Sequence, residues 1–127
     1  MALYIDGFVM PVYKRKLAAY KKMARLGAKV YLEHGALEYR ECVADDVSYG
    51  KRTSFPRSVK QKAGEIVVFS YIVYTSRAQR DRINRKAMSD PRFAPYMDLK
   101  KLPFDAKRMF WGGFKTLVEA SAKKRRK

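Results

Sequence analysis

The sequence predicts an α+β domain with the element order β-α-β-β-α-β and a four-stranded antiparallel sheet, the split βαβ arrangement of ferredoxin-like folds. Three observations carry this expectation. Four β-branched and aromatic runs lie at residues 3–12, 37–44, 65–74 and 109–118. Helical periodicity follows the first and third runs. The clearest run, EIVVFSYIVY, is apolar on both faces.

The first strand, LYIDGFVMPV, is closed by Pro11, because proline cannot donate to a ladder and is poorly tolerated in a strand interior. From Tyr13 the period changes: Tyr13, Leu17, Tyr20, Ala24, Ala28 and Tyr31 recur at three- and four-residue steps on one helical face, and Gly35 is a plausible stop. Lys14, Lys16, Lys21, Lys22, Arg25 and Lys29 make the rest of that helix a basic stripe. LEYRECVA forms the second strand, followed by a polar loop through Asp45, Asp46, Gly50 and Pro56. After the third strand, Ser76-Arg77-Ala78-Gln79 has the form of a capping box and opens a helix to about Met88, which stops at Asp90-Pro91. A segment punctuated by Pro91, Pro95 and Pro103 leads into the last strand.

In the third strand Ile66, Val68, Ile72 and Tyr74 point one way and Val67, Phe69, Tyr71 and Val73 the other. Two helices cover one face of such a sheet, so the second apolar face needs another layer. A second copy of the sheet is the simplest cover and predicts a homodimer. The alternative is that the 45–62 loop or the proline-rich segment folds over that face.

A chain of 127 residues is the size of one domain, expected over residues 1–120, with 121–127 as a basic, disordered tail. No apolar run approaches the roughly 18 residues that span a bilayer, and the N-terminus places its apolar stretch before its charges, unlike a secretory signal. A single cysteine, Cys42, permits no internal disulfide. The expectation is a soluble cytoplasmic protein without a membrane partner. The net charge of +17 is not confined to the tail: without Lys123, Lys124, Arg125, Arg126 and Lys127 it is still +12, 24 cations against 12 acids. Such a surface attracts polyanions by counterion release.

The segments YIDGFV (4–9), GALEYRECVADDV (35–47), GKRTSFPRSV (50–59), EIVVFSYIVYTSRAQRD (65–81), MSDPR (88–92) and PFDAKRMFWGGF (103–114) resemble the YbaA-like family of uncharacterised bacterial proteins, domain of unknown function 1428. The resemblance spans most of the chain in order. It implies the dimeric α+β barrel superfamily, in which two ferredoxin-like subunits join their sheets, and it implies no particular activity. The basic helices and the KKRRK tail depart from what the family leads one to expect.

Asp6 stands in an otherwise apolar strand and must be paired, hydrated or shifted in pKa. Two readings stay open: a general base or ligand anchor in the barrel interior, or a structural carboxylate paired with Arg or Lys. Glu41 and Arg40 pose the same question on opposite faces of the second strand. Tyr4, Tyr39, Tyr71, Tyr74 and Trp111 offer pocket walls, with ordinary core packing as the alternative. Gly112-Gly113 fits a β-bulge, with close approach of a ligand to the backbone as the alternative. Asp105, Lys107 and Arg108 mark a place for an anionic ligand or for a local ion pair. The lone His34 has no second ligand at metal spacing, and no cofactor fingerprint is present, so neither metal nor cofactor is expected. The candidate site is therefore Asp6 for catalysis, with Tyr4, Glu41, Tyr71, Arg108 and Trp111 binding a small organic molecule. Whether the protein is an enzyme is left open; the superfamily resemblance implies proton transfer or cofactor-free oxidation. The alternative function is non-specific nucleic-acid binding, RNA above all, through Lys21, Lys22, Arg25 and Lys123, Lys124, Arg125, Arg126 and Lys127.

Overall fold

A computed structural model describes residues 2–122; the five cations of the tail lie outside the described residues. Strand β1 (Tyr4–Tyr13) leads through a single 3₁₀ turn (Lys14–Lys16) into α1 (Leu17–Glu33). Then come β2 (Glu38–Val43), a four-residue α2 (Phe55–Ser58), β3 (Glu65–Tyr74), α3 (Arg77–Met88), 3₁₀ turns at Pro91–Tyr96 and Leu99–Lys101, and β4 (Phe110–Lys115). The four strands form one antiparallel sheet in the order β2-β3-β1-β4, the ferredoxin-like arrangement.

Alternation decides what each strand residue meets. Tyr4, Asp6, Met10 and Val12 of β1 and Val68, Ile72 and Tyr74 of β3 lie under the helices and form most of the core. Helix α1 contributes Tyr20, Ala24, Gly27 and Val30, a face turned slightly from the one its sequence predicts: Gly27 and Val30 are buried while Ala28 is only partly so. Ser76 caps α3 as expected, its hydroxyl accepting from the Gln79 amide at 3.1 Å while the Gln79 side chain accepts from the Thr75 amide at 2.6 Å. The proline-rich segment sends Leu102 and Phe104 into the core beside Tyr20.

Other details differ from the sequence reading, among them the last strand, which ends at Lys115 instead of Val118. Strand β1 continues through Pro11 to Tyr13 because the proline lies past the last β4 pair, Val9↔Phe110; its carbonyl faces the 103–109 segment, where it accepts from Asp105 at 3.3 Å, so no ladder donor is missed. Gly112 and Gly113 form no β-bulge, since the pairing with Gly7 and Asp6 is regular. A Cβ at Gly113 would instead collide with the Tyr4 hydroxyl and the Arg80 guanidinium. The 45–62 loop does reach the second sheet face, where α2 seats Val59 against Val9 and Val67, but it covers only one end. Beyond it Phe69, whose ring meets Phe55 of α2, and Phe114 remain 42% and 64% exposed.

Candidate functional site

The register lays out the helix-side face as rows running across the sheet. Gly113, Asp6, Ile72 and Tyr39 are neighbours in one row, and Trp111, Phe8, Ser70 and Glu41 in the next. Buried Asp6 and partly buried Glu41 thus share this face, two strands and one row apart, roughly 12 Å.

Asp6 is 3% exposed and faces Arg80 of α3, with Nε 3.5 Å from its Oδ1. Burial raises its pKa, opposed by the Arg80 charge and the neighbouring Tyr74 hydroxyl. The pair is close in charge but imperfect in geometry: Asp6 Oδ1, Arg80 Nε and the Tyr74 hydroxyl are all buried without a hydrogen bond. Arg80 Nη2 donates to the Tyr4 hydroxyl at 3.1 Å, and its guanidinium lies over the rings of Tyr4 and Trp111. Trp111 also stacks on Phe8, with ring centroids 6.0 Å apart. Asp6, Tyr4 and Trp111 are therefore gathered as one cluster around an arginine that the sequence reading did not single out.

Glu41 is held differently. Its Oε1 accepts from the Tyr20 hydroxyl at 2.6 Å and its Oε2 from the Tyr39 hydroxyl at 2.8 Å. No cation neutralises it at salt-bridge distance among the described residues. Burial, the largest influence, lifts its pKa despite the bonds from Tyr20, Tyr39 and Ser70. The phenols are pushed up in turn by burial and by the carboxylate beside them. Gly27 makes this possible, because a Cβ there would stand 2.7 Å from the Tyr39 hydroxyl. Tyr39 shares Glu41's face by strand alternation and Tyr20 was on the predicted buried stripe, so two of these partners had a signal in the sequence; a glycine in mid-helix was the third.

Glu41 lines two cavities beneath α1. One of about 420 Å³ lies between α1 and the outer strand β2, walled by Leu17, Ala24, Val43 and Val68. The other, about 280 Å³, lies towards the proline-rich segment, walled by Met23, Met88, Phe93, Tyr96, Leu102 and Phe104. Tyr31 and Tyr39, with centroids 6.1 Å apart, separate this region from Asp6; burial pushes the Tyr31 phenol up to about 12, with the Asp6 charge adding to it.

The remaining sequence candidates lie outside these two carboxyl clusters, although Lys21 and Arg25 border the larger cavity beside Glu41. Tyr71 is on the open face, where its hydroxyl accepts from Arg40 Nε at 2.9 Å. Arg108 is committed to Glu65 through bonds of 2.8 and 2.6 Å and to Asp105 at 2.8 Å. Lys21, Lys22 and Arg25 are exposed on α1. His34 caps α1, with Nε2 3.8 Å from Asp90.

A ferredoxin-like domain with a tyrosine-bound carboxyl under its first helix defines an α+β protein with a cleft between sheet and helices. The chain belongs to the family described as protein of unknown function (DUF1428), whose profile matches residues 3–106. It is 46% identical over 116 residues, 91% of this chain and 97% of the relative, to the uncharacterized protein YbaA of Escherichia coli strain K12, and equally to that of Shigella flexneri. Among solved structures it is similar to two dimeric ferredoxin-like proteins from an uncultured marine organism. Their TM-scores are 0.58 and 0.56 at 10% and 12% identity, covering 96% of this chain and 100% of theirs. A NIPSNAP family protein with unknown function from Agrobacterium tumefaciens gives 0.54 at 11% identity, covering 90% of this chain and 87% of its own. At these identities the likeness is one of fold.

Proposed function

We propose that the protein is a homodimer in which each protomer binds a small, largely apolar organic molecule in the cleft beneath α1, with Glu41 as its polar anchor. The observation that carries this reading is a carboxyl with no salt-bridge partner among the described residues, held by two tyrosines, on the floor of two apolar cavities. Apolar walls with a few convergent polar groups are what a small-molecule site needs. A partly desolvated carboxyl bonded only to neutral phenols keeps its charge without a counter-ion, which costs stability. We assign proton exchange with the bound molecule to Glu41, and to Asp6, locked against Arg80, the tying of β1 to α3. Glu41→Gln keeps the shape and one acceptor. In a thermal-shift screen of small aromatic and aliphatic compounds, ligands that stabilise the wild type are expected to lose at least tenfold in affinity for E41Q. Equal shifts in both proteins refute the reading.

The dimer is supported by the uncovered end of the second sheet face, where Phe69, Phe114 and Leu37 are exposed together around a broad depression, and by the dimeric state of the marine neighbours. Light scattering is expected to give twice 14.8 kDa, and F69K/F114E to give the monomer. A wild-type monomer at tens of micromolar overturns it.

A second reading, binding of RNA through the phosphate backbone, is favoured by one observation. Lys14, Arg15, Lys16, Lys21 and Lys22 crowd the N-terminal end of α1, and its first turn holds no acid. Lys14, Arg15 and Lys16, at the start of the helix, oppose its dipole by about 0.3–1 kcal/mol each, a cost that an external anion would relieve, and Lys21 and Lys22 extend the basic face by a turn. Anisotropy titrations with two unrelated labelled RNAs are expected to show equal affinities that fall steeply with salt and weaken in K14E/K22E and on deletion of 123–127. Sequence-selective, salt-insensitive binding refutes this reading.

A further inference from the structure

The two cavities that share Glu41 differ in what stands at their mouths. The smaller is walled by methionine, aromatic and leucine side chains, and Glu41 is the one ionisable acid or cation in its lining. The larger is flanked by Lys21 and Arg25, four residues apart on α1 and so on one side of the helix. Both are exposed and, like most Lys and Arg among the described residues, have no carboxylate partner. The cavity therefore runs from two unpaired cations at its rim, past the apolar side chains of Leu17, Ala24 and Val68, to a carboxyl at its inner end.

We propose that this cavity takes an amphipathic organic acid, with its apolar body under α1 and its carboxylate or other anionic head at the rim between Lys21 and Arg25. The inference rests on the reading of the Glu41 cleft as a ligand site and adds its chemical class and the orientation of its occupant. Charge complementarity fixes that orientation. An anionic head turned inward would meet Glu41, the repulsion growing as the dielectric falls, whereas a head at the rim meets two cations and keeps part of its hydration. The apolar body is what the walls reward, since about 25 cal/mol is gained for each Å² of apolar surface removed from water. A cavity of about 420 Å³ lies within the range of about 300–1,000 Å³ usual for such ligands. Ala18 and Ala19 are the exposed apolar residues beside these cations on α1, too small to act as a membrane wedge, so the rim is suited to a single bound acid more than to a lipid surface.

The test compares decanoate with decan-1-ol on the full chain, by calorimetry and by amide chemical shifts, below the micelle concentration of decanoate. Decanoate is expected to bind at least tenfold tighter than the alcohol and to shift amides of residues 17–28 and 41–43. In K21Q/R25Q the preference for the acid is expected to vanish while the alcohol binds as before. Both substituted side chains are exposed, and circular dichroism checks that the fold is kept. Equal affinity of acid and alcohol in the wild type, with shifts still under α1 and lost in E41Q, overturns the acid class and leaves the ligand cleft standing. Shifts confined to the open sheet face, or a K21Q/R25Q protein that loses RNA binding but keeps its preference for decanoate, also overturn the proposal. Failure of every compound, acid or neutral, to reach the cleft removes the ligand reading itself.

Discussion

Arg108 is where a ligand reading and a structural reading predict opposite results. The sequence places it beside Asp105 and Lys107 as a candidate for holding an anion. In the fold its guanidinium donates to both oxygens of Glu65, to Asp105 and to the carbonyls of Val59 and Lys60 at 3.2 and 2.9 Å. It thereby joins the start of β3, the end of the α2 loop and the approach to β4. The Glu65 and Arg108 side chains are 4% and 14% exposed, so the pair is desolvated. Arg108→Met removes the guanidinium and leaves Glu65 with one remaining donor, the Lys62 amide at 2.8 Å. Breaking one side of a buried pair costs about 3–5 kcal/mol, which for a domain of this size lowers Tm by on the order of 10–20 °C. Arg108→Lys recovers only part of this, because an ammonium cannot meet both carboxylate oxygens as a fork.

The pH dependence sharpens the test. In the wild type the Arg108 bonds hold Glu65 below its usual 4.5, so this group contributes stability that is present above that value and is lost as pH falls through the lower folded one. Without Arg108, burial is expected to outweigh the Lys62 amide and charge and to raise Glu65 above its usual value. Its ionised form then costs stability as pH rises through that raised value. The gap between wild type and R108M, measured by urea denaturation, is expected to be widest at pH 7.5 and to narrow by pH 5. A gap under about 1 kcal/mol, or one that widens on acidification, refutes the structural role. Loss of ligand affinity with unchanged stability would restore Arg108 to the binding site.

Two further outcomes follow from single contacts. Gly27→Ala adds about 1 kcal/mol of helix propensity but displaces the Tyr39 hydroxyl from Glu41, a hydrogen bond to a charged group worth about 1.5–3 kcal/mol. The expected result is a net loss of about 1 kcal/mol in chemical denaturation, and a clear gain in stability would mean that Tyr39 does not depend on that gap. Ser76→Ala removes the acceptor for the Gln79 amide and is expected to cost about 1 kcal/mol, read as a Tm lower by a few degrees; an unchanged Tm refutes the capping role.

The strands were legible because β-branched runs bounded by turn residues leave little choice of period, and the two-faced character of β3 followed from alternation alone. Pro11 misled because its effect depends on whether a neighbour faces its missing donor, and β4 ends before reaching it. The bulge expected at Gly112-Gly113 failed for a related reason. The glycine is needed by a side chain arriving from α3, and nothing in the local sequence reports that Arg80 lies over the sheet there. Asp6 shows the same limit: its strand context announced that a partner must exist, and only the packing of α3 on β1 identified Arg80. Long-range pairings between charged groups leave no periodic trace, whereas partners on one element do.

That distinction bears on where function is to be sought. Asp6 and Glu41 raised the same question in the sequence, each an acid within a strand, and the fold separates them by what each is given. Asp6 has a cation at 3.5 Å, which opposes its burial and spends the arginine on structure. Glu41 has two phenols, which satisfy its oxygens without cancelling its charge, so its ionisation stays costly and responsive to whatever enters the cavities beside it. A ligand that places a donor or a charge near Glu41 changes that cost directly. One placed near Asp6 must first compete with Arg80. On the proposed reading, the contrast makes Asp6 the structural carboxyl and Glu41 the one that would respond to a bound molecule.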